Sequence, residues 1–193
     1  MARFTNQAQL RYGNAVTNSN IAVGEILEVL SATKTAVRNT YGQSDTVTYI
    51  VSIVNSGTTP ITGISVTDNL GEYTFGTTTL VPLTYIDGTV KYYVNGVLQP
   101  SAVVTAGPPL VVSGITVPAG GSVTVAYEAS VNEFAPLDTT SVINNTAIVA
   151  GTGITPITAE EEITVESTPV LTITKSVSPV PVTENGTLTY TFL

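Results

Sequence analysis

A lysine that recurs on the apolar face of a strand constrains the fold of this sequence more than any other feature. Residues Val29–Ala36 alternate as a half-buried strand does, and the alternation places Lys34 on the same face as Leu30. The stretch returns at Val170–Val177, where Lys175 takes the lysine position at an offset of 175 − 34 = 141. Because burial of a charge is costly, we expect this position to serve a buried ion pair or a chemical reaction.

Composition favours an all-β protein. Hydrophobic residues make up 42% of the 193 residues and charged residues only 10%, and Thr, Val, Ser, Gly and Pro are abundant. These residues suit short strands and turns, and no amphipathic helix of three turns is evident. The length allows one sandwich domain with additions or two small domains.

The residue types that are absent exclude several functions. Without cysteine or histidine, the chain can form no disulfide, no Cys- or His-liganded zinc site and no histidine base, and we expect no metal or cofactor. A net charge of −8 argues against nucleic-acid binding. No apolar run approaches the roughly 20 residues of a membrane span, so no membrane insertion is expected. Residues Met1–Gln7 show no signal peptide.

Internal similarity divides the chain into three parts. Thr5–Leu10 resembles Asn144–Val149 at an offset of 145 − 6 = 139, which pairs Asn6 with Asn145. Together with the lysine repeat, this similarity indicates that the chain opens with the end of one repeat and closes with the start of another. The predicted parts are an N-terminal strand with its loop over residues 1–24, a complete repeat over 25–168, and an incomplete second repeat over 169–193.

Strands and turns alternate within the complete repeat at the spacing of a sandwich. Asn95-Gly96 is a strong hairpin signal between two of these strands. The predicted strands are Ile26–Val37, Thr46–Val54, Ile61–Asp68, Thr89–Val94, Val97–Val104, Leu110–Val117, Ser122–Val131, Ser141–Ala150 and Thr158–Glu166. The pattern predicts an immunoglobulin-like antiparallel β-sandwich, with an extra N-terminal strand and a partial second repeat at the C-terminus.

Three polar residues interrupt the apolar faces of these strands. Lys34 lies on the first strand, Asp68 on a middle strand and Asn145 near the end of the repeat. A buried amine can be neutral and nucleophilic, and a nearby acid can assist its attack on an asparagine amide, which would form an isopeptide bond once per molecule. Alternatives are a buried Lys34–Asp68 ion pair, a register shifted by one residue, or Asn144 as the bonding partner.

Several short motifs resemble the "conserved repeat domain" (domain of unknown function eleven) of bacterial surface proteins. They are Thr33-Lys34, Thr46–Tyr49, Val54–Pro60, Val66–Asp68 and Asn145–Ala147. The resemblance implies an immunoglobulin-like sandwich strung in tandem on cell-surface or appendage proteins. Related domains in Gram-positive pili and adhesins form Lys–Asn isopeptide bonds assisted by an acid, and by position Lys34, Asn145 and Asp68 fill these roles. The permuted ends and the lack of a sortase-type anchoring motif depart from this pattern.

We therefore expect a structural subunit of an extracellular filament on a cell or spore surface, not an enzyme with turnover. Residues 1–24 would act as a donor strand for a neighbouring copy, with Asn6 and Lys175 as candidates for an intersubunit bond. The expected partners are further copies of the chain and a surface-anchoring protein. The alternatives are an arbitrary window on a longer array, or an adhesin repeat that binds a host protein or glycan near Tyr92 and Asn95.

Overall fold

Every regular element of the structure is a β-strand. The structure is a computed structural model, and it describes residues 2–26, 28–100, 102–166 and 173–193. The predicted domain boundary between residues 168 and 169 lies outside these ranges. No helix in the described ranges is long and apolar enough to cross a membrane.

The N-terminal segment, predicted as an extra strand with its loop, forms four strands that pair with one another. Its strands are β1 (Ala2–Asn6), β2 (Gln9–Tyr12), β3 (Ala15–Asn18) and β4 (Ala22–Ile26). β1 pairs with β4 and β2 with β3, both antiparallel, so that the segment is one twisted hairpin. The ring of Phe4 lies over Gly24, where any Cβ atom would collide with it, and this contact aligns β4 with β1.

In the described ranges, the central and C-terminal parts of the chain contain sixteen strands. The central strands are β5 (Leu30–Ala36), β6 (Thr40–Tyr41), β7 (Thr46–Asn55), β8 (Ile61–Asp68), β9 (Tyr73–Phe75), β10 (Thr78–Leu80), β11 (Leu83–Tyr85), β12 (Lys91–Val94), β13 (Val97–Leu98), β14 (Val103–Thr105), β15 (Leu110–Val117), β16 (Ser122–Val131), β17 (Val142–Ala150) and β18 (Ile157–Val165). The C-terminal strands are β19 (Lys175–Ser178) and β20 (Thr189–Phe192).

Apart from β9 and β10, which pair with each other as a separate hairpin, the central strands form two sheets, which confirms the predicted β-sandwich. The first sheet has the order β13-β12-β16-β7-β5, with β11 also paired to β16, and the second has the order β14-β15-β8-β17-β18-β6. The pairs are antiparallel except β18 with β6, which is parallel. The parallel pair lies where the chain crosses between the sheets. The chain leaves the first sheet after β5 and enters the second at β6, which runs in the same direction as β18.

The apolar core consists of two clusters separated by a polar layer. On β17, Ile143 belongs to one cluster and Ala147 to the other, with Asn145 between them. On β8 and the turn after it, Asp68 lies in the same way between Val66 and Leu70. Lys34 on β5 is flanked by Ala32 and Ala36, which pack against different clusters. Three strands thus contribute a polar residue at one level of the sandwich.

Candidate functional site

The polar layer brings together side chains from both sheets. β5 contributes Lys34 and β16 contributes Tyr127, while β8 contributes Asp68 and β17 contributes Asn145. All four are buried, and the side chains of Lys34 and Asp68 are only 0% and 1% exposed. The alternation of each strand turns these residues inward, so they meet where the faces of the two sheets pack together.

A chain of hydrogen bonds runs from the lysine to the asparagine. Lys34 Nζ donates to Asp68 Oδ2 at 2.5 Å, and the Tyr127 hydroxyl donates to the same oxygen at 2.5 Å. Asn145 Nδ2 donates to the Tyr127 hydroxyl oxygen at 3.2 Å. Among the described hydrogen bonds none joins Asp68 to Asn145 directly, so the tyrosine connects the acid to the amide.

The turn after β8 fixes the orientation of the asparagine amide. Leu70 and Gly71 both have positive φ, at 55° and 75°. Their N–H groups point to the polar layer: Leu70 N–H donates to Asp68 Oδ1 at 3.0 Å, and Gly71 N–H donates to Asn145 Oδ1 at 3.1 Å. Since only the carbonyl oxygen can accept from Gly71, the Asn145 nitrogen must face Tyr127. Gly71 N–H would also stabilise negative charge on that oxygen.

Two stacked tyrosine rings form the wall of the polar layer on the first sheet. Tyr49 on β7 is the cross-strand partner of Tyr127, and their ring centroids are 5.7 Å apart. Lys34 Nζ lies 4.9 Å from the centre of the Tyr49 ring, within reach of a cation–π contact. The Tyr49 hydroxyl is buried but has no hydrogen-bond partner among the described residues. Its ring supports the layer, and its hydroxyl lies close enough to the Asn145 amide for that amide to oppose part of the rise in the pKa of Tyr49.

Burial dominates the electrostatics of the layer. Desolvation lowers the pKa of Lys34 to about 8, and the nearby charges of Asp68 and Glu161 offset only part of this shift. Glu161 is the cross-strand partner of Asn145 on β18. Burial also raises the pKa of Tyr49 and Tyr127, and the charge of Asp68 adds to both shifts. The layer therefore favours a lysine that gives up its proton easily and tyrosines that keep theirs.

Sequence reasoning identified three of the four linked residues but missed the tyrosine. Asn144 is exposed on the outer face of β17 and Asn145 is buried, so the amide in the polar layer is that of Asn145. Tyr127 was recognised only as an inward residue of its strand. Its pairing with Tyr49 in adjacent long strands was the available signal. Gly71 gave no signal, because the sequence does not show which carbonyl its N–H faces.

Asn6 and Lys175 lie apart from the polar layer, in two exposed antiparallel pairings. We call residues 2–26 the N-terminal ribbon and residues 173–193 the C-terminal ribbon. Asn6 is opposite Ala22, as Asn145 is opposite Glu161, so both pairs obey the offset 145 − 6 = 161 − 22 = 139. Lys175 is opposite Phe192, as Lys34 is opposite Val51, with 175 − 34 = 192 − 51 = 141. The N-terminal ribbon thus repeats the register of β17–β18, and the C-terminal ribbon that of β5–β7.

Both ribbons expose apolar side chains. In the N-terminal ribbon Tyr12 is 88% exposed, and in the C-terminal ribbon Ile173 is 77% exposed. Lys175 Nζ lies 4.4 Å from the centre of the Tyr190 ring, a contact equivalent to that of Lys34 with Tyr49. Each ribbon therefore has the strand pairing of one wall of the sandwich, but its apolar side chains are left exposed.

The structure gives little support to the other candidate sites. Within the described ranges no group of carboxylates could hold a metal ion. Tyr92 is half-buried with its hydroxyl against the backbone of Thr116, and the side chain of Asn95 accepts a hydrogen bond from Ser122 N–H. These groups are occupied within the fold, so the region predicted to bind a host ligand offers few free polar groups.

Solved structures with a similar fold include Gram-positive pilins. The full-length major pilin SpaD of Corynebacterium diphtheriae matches 69% of this chain and 34% of its own, with 16% identity and a TM-score of 0.52. A variant of BcpA, the major pilin subunit of Bacillus cereus, matches 89% of this chain and 50% of its own, with 10% identity and a TM-score of 0.50. These likenesses show an immunoglobulin-like pilin fold, and the chain spans half or less of each pilin.

No protein-family model matches the sequence, and no curated protein matches it significantly. The resemblance to the conserved repeat domain therefore stays a prediction, whereas the pilin-like sandwich is shown by the structural comparison.

Proposed function

We propose that this chain is a structural subunit of an extracellular surface filament, hardened by an isopeptide bond between Lys34 Nζ and Asn145 Cγ. The observation that carries the proposal is the buried chain of hydrogen bonds from Lys34 through Asp68 and Tyr127 to Asn145. The fold, which resembles that of major pilins, is suited to a load-bearing role outside the cell.

The arrangement favours a covalent role over a simple ion pair. A fully buried ion pair seldom stabilises a fold more than apolar packing would, and this one adds a buried amide and a hydroxyl to the polar layer. Burial brings the pKa of Lys34 to about 8, so a useful fraction of the amine is neutral near physiological pH. The fold also holds the reactants together, which can lower a barrier by about 7–11 kcal/mol.

Assembly into a filament would use the two exposed ribbons. We infer that residues 1–24 of one copy complete the C-terminal ribbon of the next by donor-strand complementation. The ribbons carry the registers of two sheets that face each other inside the sandwich. Such a contact is heterologous and open, so repetition gives a filament. Asn6 and Lys175 would then be the pair that an intersubunit bond joins.

Charge supports the contact between copies. Residues 1–24 contain Arg3 and Arg11 and no carboxylate, whereas the rest of the chain contains four Lys or Arg and fourteen Asp or Glu residues, a net charge of 4 − 14 = −10. Arg3 is paired with Glu25 of the same ribbon, which leaves Arg11 as the positive group available to other copies. A positive group on a negative molecule is attracted to other copies, and salt screens this attraction.

The intact mass of the denatured protein tests the intramolecular bond. We expect the folded wild type to be lighter than its calculated mass by one ammonia, with Lys34 and Asn145 in one crosslinked peptide. The variants Lys34→Met and Asn145→Leu should keep the full mass. The matched controls Lys91→Met and Asn144→Leu alter exposed residues of the same types, so they should lose ammonia as the wild type does. Full mass in the folded wild type would refute the bond.

Polymerisation tests the assembly separately. Concentrated wild-type protein should form filaments at low salt, and a chain without residues 1–24 should stay monomeric while its sandwich still loses ammonia. Ladders that survive boiling in detergent and disappear in Asn6→Ala would establish the intersubunit bond. A wild-type chain that remains monomeric at every concentration and salt would favour the adhesin reading instead.

A further inference from the structure

We propose that the Tyr127 hydroxyl is a catalytic proton relay that carries a proton from Asp68 to the departing nitrogen of Asn145. This inference rests on the proposed isopeptide bond and adds a residue and a direction of proton transfer to it. The sequence identifies Asp68 as the assisting acid, and in the structure this acid contacts the amine while the tyrosine contacts the amide.

The direction of the relay follows from the donors and acceptors around Tyr127. Asn145 Oδ1 accepts from Gly71 N–H, so Nδ2 is the end that meets the tyrosine. Because Nδ2 is a donor, the Tyr127 oxygen accepts this bond and directs its own proton to Asp68 Oδ2, 2.5 Å away. The tyrosine is the group bonded both to the acid and to the nitrogen that must leave.

The proton and bond changes balance along this path. A proton moves from the Lys34 ammonium to Asp68 Oδ2, and the neutral amine attacks Asn145 Cγ, forming the Nζ–Cγ bond. The amide electron pair moves to Oδ1, which Gly71 N–H stabilises. Tyr127 then gives its proton to Nδ2 and takes one from Asp68, the Cγ–Nδ2 bond breaks, and ammonia leaves. The second proton on Nζ passes to the Asp68 carboxylate, so the products are a neutral amide, a protonated acid and ammonia.

The surroundings of Tyr127 suit it to this task. Its side chain is 1% exposed, and the two partners of its hydroxyl are buried, so solvent is excluded from the path. Burial and the Asp68 charge raise the pKa of the hydroxyl, so it keeps its proton at neutral pH until another arrives. Tyr41 offers a built-in comparison, since it is as deeply buried but its hydroxyl donates to the backbone oxygen of Pro136, outside the polar layer.

The test compares Tyr127→Phe with Tyr41→Phe in the full chain. Each protein is isolated unreacted in denaturant and refolded by dilution, and the loss of ammonia is followed by mass while near-ultraviolet circular dichroism follows folding. Because general acid catalysis contributes roughly 10²–10⁴-fold, we expect Tyr127→Phe to react at least about 100-fold more slowly than wild type after it has folded. Tyr41→Phe loses a buried hydroxyl outside the layer, so it should react at a rate close to that of wild type.

The outcomes separate the relay from the bond itself. A folded Tyr127→Phe variant that reacts as fast as wild type overturns the relay and leaves the isopeptide bond intact. A folded wild type that never loses ammonia overturns both. If Tyr127→Phe does not fold, 3-fluorotyrosine at position 127 decides the question, because it keeps the ring and hydroxyl but changes the acidity. The relay predicts a reaction rate changed severalfold with unchanged folding, and an unchanged rate contradicts it.

Discussion

At the scale of single residues, the buried amine of Lys34 makes stability depend on pH. Its pKa is about 8 in the fold against 10.5 for a free lysine. Between these values the unfolded chain holds a proton that the folded chain has released, so the free energy of unfolding rises with pH, by at most ~1.4 kcal/mol per unit. Above about pH 10 the trend reverses, because folding raises the pKa of Tyr49 and Tyr127 above 10.0.

Urea unfolding of the bond-free variant Asn145→Leu measures this dependence. We expect its free energy of unfolding to increase from pH 8 to about pH 10. The double variant Lys34→Met/Asn145→Leu should lack the increase, while it keeps the decline at higher pH that the tyrosines cause. Equal slopes in the two proteins would show that Lys34 keeps an ordinary pKa in the fold.

Alternation along strands was sufficient to place Lys34, Asp68 and Asn145 on inward faces, because the period of two is a local property. The link through Tyr127 could not be predicted in this way. It depends on how far β16 of one sheet is shifted against β8 and β17 of the other, and that shift is set by packing across the sandwich. Asn55 likewise lies just beyond the predicted strand Thr46–Val54, yet it is buried, and its amide nitrogen donates to the backbone oxygens of Thr59 and Pro118.

At the scale of elements, the turn between β8 and β9 positions β17. Gly71 has a φ of 75°, and a Cβ atom there would lie 2.6 Å from Ile143 Cγ2. Gly71→Ala should therefore destabilise the fold by about 2–4 kcal/mol, from the positive φ and from overpacking together. Gly76→Ala is the matched control, since Gly76 has a φ of 63° and no atom within 4 Å of such a Cβ.

Thermal or urea unfolding of Gly71→Ala and Gly76→Ala, each combined with Asn145→Leu so that no bond forms, separates the cost of the positive φ from the cost of overpacking. The control should lose only about 1–2 kcal/mol, the cost of a positive φ. If both variants lose the same amount, the contact between Gly71 and β17 has no energetic role, and the orientation of the Asn145 amide must be fixed by other groups.

The long alternating strands could be predicted from the sequence. Short strands, and strands that pair with an unexpected partner, could not. Ile61–Asp68, Leu110–Val117 and Ser122–Val131 have the bounds that their patterns predict. The strand predicted to begin at Ile26 begins at Leu30 instead, because Ala22–Ile26 pairs with Ala2–Asn6. The apolar pattern of a strand does not show which strand it pairs with, so the local pattern could not assign these residues to the N-terminal pairing.

At the scale of the whole molecule, the proposed bond closes a loop of 145 − 34 = 111 residues. A crosslink around about 100 residues removes unfolded-state entropy worth about 4.7 kcal/mol. Wild type should therefore melt about 15 °C above either Lys34→Met or Asn145→Leu. The double variant loses the same bond that each single variant loses. Its loss of stability should therefore be smaller than the sum of the two single losses by about 4–5 kcal/mol, the coupling energy of this double-mutant cycle. Additive losses in calorimetry would mean that no bond links the two residues.

The same bond should determine how the molecule bears force. It joins β5, where the sandwich begins, to β17, near its end, so tension applied through residues 28 and 166 passes through the bond and bypasses most of the sandwich. In single-molecule stretching, wild type should release only the segments before Lys34 and after Asn145, together at most about 95 Å at roughly 3.5 Å per residue. Asn145→Leu should release the enclosed residues as well, a further gain of about 390 Å.

Asn144→Leu provides the control for this measurement, because it changes a neighbouring exposed residue and should give the wild-type trace. A wild-type molecule that extends as far as Asn145→Leu would show that the sandwich bears force through its hydrogen bonds alone. A short wild-type extension with a long one in the variant would instead place the mechanical strength of the subunit in a single layer of buried polar groups. The apolar clusters on either side of that layer would then serve to keep water away while the bond forms.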